Sequence, residues 1–130
     1  MTNREWRSFF SICTRVLGSG SSLAAQSESW CAWTTFGSLR NSVHYWTAGL
    51  PAEADLEEIG TADRGPWGQP FPYKDLAHII IPREFHWEII APGQFKNGAR
   101  LQDIAVLSAE LKSAGIRHRL TELVLEIKLY

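Results

Sequence analysis

The chain has 130 residues, of which 45% are hydrophobic and 21% charged, with a formal net charge of −1. That length suggests one domain able to bury a real core without disulfide or metal staples. The near-neutral balance excludes the overall basic field that would argue for nucleic acid or an anionic membrane.

The first predicted element is an amphipathic helix over residues 2–17. Trp6, Phe9, Phe10, Cys13, Val16 and Leu17 fall on one face at helical spacing. Thr2 and Glu5 have the spacing of a capping box, and Gly18 supplies the stop. The segment contains no long apolar run of the signal-peptide kind. GSGSSLAAQS then has the composition of a flexible connection.

WCAWTTF, residues 30–36, and SVHYWTA, residues 42–48, are aromatic and β-branched strand candidates. The turn-like GSLRN between them predicts a hairpin. Their aromatics, Trp30, Trp33, Phe36, Tyr45 and Trp46, could stack on bases, but no basic run or ribonucleoprotein-type motif accompanies them. Core and rim packing is the favoured reading.

Residues 50–73, LPAEADLEEIGTADRGPWGQPFPY, hold the charge asymmetry of the chain. Residues 1–50 balance to +2 and residues 64–130 to +2, whereas residues 51–63 carry Glu53, Asp55, Glu57, Glu58 and Asp63 against no base. Trp67, Phe71 and Tyr73 follow, interleaved with Pro66, Pro70 and Pro72. A connection this long is either a mobile loop or a functional one. The single-signed charge suits a basic partner, and aromatics stiffened by proline lose little entropy on binding.

DLAHIII, residues 75–81, and FHWEIIA, residues 85–91, are the next strands, closed by Pro82 and by Pro92-Gly93. APGQFKNGAR has the composition of a polar loop. A second helix is expected over residues 101–114, with Leu101, Ile104, Leu107, Leu111 and Ala114 as its buried stripe and Gly115 as its stop. IRHRL, residues 116–120, and the alternating LVLEIKLY, residues 123–130, complete a last hairpin. The expected fold is α+β: a mainly antiparallel sheet of about six strands, with an N-terminal helix and a second helix near the C-terminus.

Chemistry-bearing residues are few. His44, His78, His86 and His118 form no metal-ligand spacing, and GSGSS lacks the lysine and setting of a phosphate loop, so neither a metal nor a cofactor is expected. Glu84, His86 and Glu88 share one strand face, which fits a histidine with carboxylate partners in a small hydrolase or nuclease, although a solvated outer face is the favoured reading. His118 between Arg117 and Arg119 suits a small anion site or an exposed strand end. Cys13 and Cys31 are expected to be buried free thiols in a reducing cytoplasm. No run approaches the ~18 apolar residues that a membrane span requires.

NREWRSFF, PYKDLAHIIIP, QDIAVLSAELKSAGI and the closing EIKLY together resemble a family of small bacterial single-domain proteins. That family opens with an N-x-x-W helix, enters a central strand through a Pro-aromatic turn, and ends in a helix and a short hairpin. In size and character the chain is also similar to the immunity proteins of bacterial toxin systems of the contact-dependent growth inhibition type. That resemblance implies a cytoplasmic, non-enzymatic protein whose partner is a cognate toxin domain. Glu53, Asp55, Glu57, Glu58 and Asp63 would then face a basic cleft, with Trp67 as the apolar anchor. The alternatives are the His86 enzyme and a small-ligand binder with a pocket beneath residues 50–73.

Overall fold

The computed structural model describes residues 1–130. Helix α1 spans Asn3–Leu17 and starts where the capping box places it. The Glu5 N–H donates to Thr2 Oγ1 at 3.1 Å, and the Thr2 N–H donates to Glu5 Oε2 at 2.7 Å. Both satisfy donors that a helix N-terminus otherwise leaves free. Gly18 ends the helix at φ 96°, and its N–H returns to the Thr14 carbonyl.

The main sheet is fully antiparallel. Its strands are β1 (Cys31–Thr35), β2 (Trp46–Ala48), β5 (Leu76–Pro82), β8 (Arg119–Leu120) and β9 (Val124–Lys128), in the order β2-β1-β5-β9-β8. Two short ribbons stand apart. One pairs β3 (Gly60–Thr61) with β4 (Phe71–Pro72), and the other pairs β6 (Glu84–Ala91) with β7 (Gln94–Leu101). Two further helices are α2 (Phe36–Asn41) and α3 (Ile104–Ser113). The α+β class, the N-terminal helix and the helix near the C-terminus are as the sequence leads one to expect.

One sheet face carries the period-two set Cys31, Trp33, Ala77, Ile79, Ile81, Leu125 and Ile127, all buried. Against it lie Trp6, Phe9, Phe10 and Cys13 of α1 and Ile104, Leu107 and Leu111 of α3, forming one continuous core. Cys13 and Cys31 are free and buried within it. Burial pushes both thiols up, and for Cys13 the nearby Cys31 adds to the effect.

Five local expectations change. The second helix begins at Ile104, and Leu101 and Ala114, expected in its buried stripe, are exposed, Leu101 as the last residue of β7. The turn expected at GSLRN is the helix α2, started by Thr35 Oγ1 accepting from the Ser38 N–H at 3.1 Å. The polar loop expected at residues 91–100 is mostly strand β7, paired with β6 over eight consecutive positions. DLAHIII and FHWEIIA therefore lie in different sheets. GSGSSLAAQS is clamped rather than free. Gly20 and Gly49 lie in backbone contact that leaves no room for a Cβ on either, and the Gly49 N–H donates to the Ser21 carbonyl at 2.8 Å.

Candidate functional site

Residues 50–73 form an ordered excursion whose own side chains complete the core. Leu50, Leu56, Phe71 and Tyr73 are buried. Trp67 is 6% exposed. Its indole stacks on Trp33 with ring centroids 3.8 Å apart, meets the edges of Phe10 and Phe71, and donates to the Gly49 carbonyl at 3.2 Å. This corrects the expectation that Trp67 anchors a partner, because its apolar surface is already used inside the fold. The aromatics that the small-ligand alternative would need around a pocket, Trp67, Phe71 and Tyr73, belong to the core cluster.

The five acids divide. Asp55 is half-buried and braces its own turn, its Oδ2 accepting from the Ala52 N–H at 3.1 Å and its carbonyl accepting from the Ala62 N–H at 2.7 Å. It therefore leaves the expected contact set, since its side chain serves the backbone. Glu53 is exposed and accepts a hydrogen bond from the Ser11 hydroxyl of α1. It stands in a groove of about 690 Å³ that Arg4, Arg7 and Arg15 also line, so the field there is mixed in sign.

Glu57 and Glu58 belong to a tight turn. Leu56 pairs with Thr61, and the Glu57 N–H donates to the Gly60 carbonyl at 2.9 Å. The Ile59 carbonyl accepts from the Tyr73 N–H, and the Tyr73 hydroxyl donates to the Glu57 carbonyl, each at 2.9 Å. Buried Tyr73 thus fixes the turn from below, and its hydroxyl pKa is raised by burial. Above it, Glu57 and Glu58 are exposed beside Ile59, which is 64% exposed. Asp63 is also exposed, followed by Arg64 at φ 68°. None of these acids forms an ion pair. Ile59 is the exposed apolar residue of the segment, the position that sequence reasoning gave to Trp67.

Glu84, His86 and Glu88 do share a face of β6, as the period of two requires, and all three are exposed. They make no hydrogen bond to one another and stand on an open ribbon. His118 is a structural residue. Its Nε2 meets Ser108 Oγ at 2.7 Å and its Nδ1 meets the Ile116 carbonyl at 2.8 Å, tying the middle of α3 to the segment that leads into β8.

The polar cluster that sequence reasoning missed surrounds buried His78. Its Nε2 lies 3.0 Å from Glu126 Oε2 and its Nδ1 lies 2.8 Å from the Tyr45 hydroxyl. A carboxylate only accepts, so the proton sits on Nε2 and in the neutral ring Nδ1 accepts from Tyr45. Glu126 Oε1 takes Arg119 at 3.2 Å, and the Tyr45 and Tyr130 hydroxyls are 3.3 Å apart. The hydrogen bond from His78, reinforced by Arg119, holds the Glu126 carboxyl below the usual range. Burial, with Tyr130 and Glu126 beside it, pushes the Tyr45 hydroxyl up to about 12. Glu126 thus orients the His78 ring, which accepts from the Tyr45 hydroxyl, and the cluster ties β5 to β9 and to the residue that precedes β2.

No helix is long and apolar enough to cross a membrane. The chain matches no protein-family model, no curated protein and no solved structure.

Proposed function

We propose that the chain is a non-enzymatic protein-binding module, an immunity-type protein that neutralises a basic toxin domain in the cytoplasm. The observation that carries this reading is the Glu57–Gly60 turn. It presents Glu57, Glu58 and Ile59 outward while hydrogen bonds to buried Tyr73 hold its backbone. Exposed acids without ion-pair partners steer a cationic surface during approach. A turn already held in its bound shape loses little entropy when the complex forms. Ile59 supplies an apolar contact between the charges, and exposed Asp63 adds a further acid, whereas Glu53 stands among the arginines of α1. The toxin would meet these acids in place of the phosphates of its own substrate.

The test is protection. The chain is produced in bacteria together with the toxin domain encoded beside its gene. The reading expects growth with the intact chain and death with the Glu57→Lys/Glu58→Lys/Asp63→Lys variant at equal soluble abundance. Survival that does not depend on these three charges would remove the acidic surface from the mechanism. The absence of any neighbouring toxin domain that the chain protects against would remove the reading itself.

A further inference from the structure

We propose that the outer edge of β6 is a strand-addition site for an extended, basic segment of a partner protein. This rests on the protein-binding reading above and names a second surface for it.

The β6–β7 ribbon is held at its base, where the short helical turn at Ala24–Gln26 packs against β6. Phe85 stacks on Trp30 with centroids 5.9 Å apart, and the Arg100 guanidinium donates to the Ser27 and Ala25 carbonyls at 2.6 and 3.3 Å. Toward the turn the ribbon is bare: Ile90 is 76% exposed and its cross-strand neighbour Phe95 60%. An isolated two-stranded ribbon is marginal in water, and exposed apolar side chains on it imply a further surface to meet.

Neither strand pairs with anything but the other. The two-residue Pro92-Gly93 turn makes Ala91 and Gln94 a mutually hydrogen-bonded pair, and the pattern alternates from there. Phe85, Trp87, Ile89 and Ala91 therefore direct their backbone groups at β7. Glu84, His86, Glu88 and Ile90 direct theirs outward, where no hydrogen bond of the fold reaches them. Natural edges of this length are blunted with lysine, proline or a bulge. β7 carries Lys96 and Arg100, and its Gly98 lies against the Trp87 indole, where a Cβ would sit 2.8 Å from Cζ2. β6 holds neither proline nor lysine and has no bulge, and the charges it carries are the acids Glu84 and Glu88.

Charge selects the occupant. Glu84 and Glu88 are exposed, unpaired, and on the same face as His86. A strand added beside β6 places its side chains next to these, so lysine or arginine fits there and an apolar residue fits beside Ile90. On the other face, half-buried Trp87 and exposed Ile89 favour apolar neighbours. A strand alternating basic and apolar residues meets both faces, with main-chain hydrogen bonds supplying affinity and side chains supplying choice. A second copy of β6 offers acids where bases are wanted.

The test uses the full 15N-labelled chain and capped nonapeptides as probes. One alternates Lys and Val, a second has Glu for every Lys, and two more carry N-methyl groups on one or the other phase of alternate amides. The expected result is saturable binding of the Lys peptide, with tenfold or greater slowing of amide exchange at Glu84, His86, Glu88 and Ile90. The Glu peptide should bind roughly tenfold more weakly, from two reversed cross-strand charge pairs. One N-methyl phase should abolish binding and the other should not, and the Glu84→Lys/Glu88→Lys variant should prefer the Glu peptide. Binding indifferent to both N-methyl phases, protection confined to β7, or no saturable binding overturns strand addition. Protection confined to Glu57–Gly60 also overturns it while leaving the protein-binding reading standing. Failure of the wild-type chain to bind its toxin domain removes that reading separately.

Discussion

Replacing Trp67 with alanine tests whether residues 50–73 belong to the core or to a partner. An indole buried as deeply as this one, 6% exposed, removes on the order of 230 Å² from water, worth about 6 kcal/mol at ~25 cal/mol/Å². A compact denatured chain already hides part of that area and alanine keeps a little, which lowers the expected loss to about 3–5 kcal/mol. The cavity opens beside Trp33, whose own indole N–H is buried without a partner, so collapse into the space gains no hydrogen bond there. Against a total stability of roughly 5–15 kcal/mol, this is a large fraction. The assay is urea unfolding followed by tryptophan fluorescence and, independently, by far-ultraviolet circular dichroism. Trp67→Ala should lower the midpoint strongly with little change in slope, whereas Ile59→Ser should stay within about 0.5 kcal/mol of wild type. A Trp67→Ala chain as stable as wild type but unable to bind its partner would refute the placement of this residue and restore it as the contact anchor.

Other outcomes follow from the same packing. Glu126 has a folded pKa held below its unfolded value, so its contribution is present above about pH 4.5 and lost as pH falls through the folded value. Glu126→Gln should therefore cost about 1–3 kcal/mol at neutral pH and show a shallower fall in stability between about pH 5 and 3, read from urea midpoints across pH. Cys13 and Cys31 should not react with a thiol reagent in the native chain, and both should react in denaturant; fast native labelling would contradict their burial. Gly49→Ala should lower the thermal midpoint measurably, because the added methyl meets Ser27 and the Gly20 backbone. His86→Ala should leave the urea midpoint unchanged within about 0.5 kcal/mol, since the ring is exposed and unbonded.

The elements legible in the sequence are those that announce themselves locally. Thr2, Glu5 and Gly18 mark both ends of α1, the apolar run ended by Pro82 identifies β5, and the alternation in residues 123–130 identifies β9 as a strand buried on one face. β7 was hidden because an exposed ribbon has no buried face to impose alternation, so QFKNGAR has the composition of a loop until β6 supplies its partner. α2 was hidden because its six residues are too few to show a helical period, and only the Thr35 cap gives it away. The acids of residues 53–63 were visible, but their division was not. Which of Asp55, Glu57 and Glu58 faces solvent depends on a turn fixed by Tyr73, many residues later. Trp67 was misjudged because aromatics spaced by prolines follow no period, and burial then depends on what lies opposite, here Trp33. His78 and Glu126 meet only through the pairing of β5 with β9, where His78 faces Lys128 and Ile80 faces Glu126. No local spacing encodes that contact.

The most direct test of the proposed function is the rate at which the chain associates with the toxin domain that this proposal assigns to it as ionic strength rises. The account predicts a fast rate that falls steeply with salt for the wild type. It predicts a slower, nearly salt-independent rate for the Glu57→Lys/Glu58→Lys/Asp63→Lys variant, with thermal stability retained. Equal rates and equal salt dependence for the two proteins would contradict it.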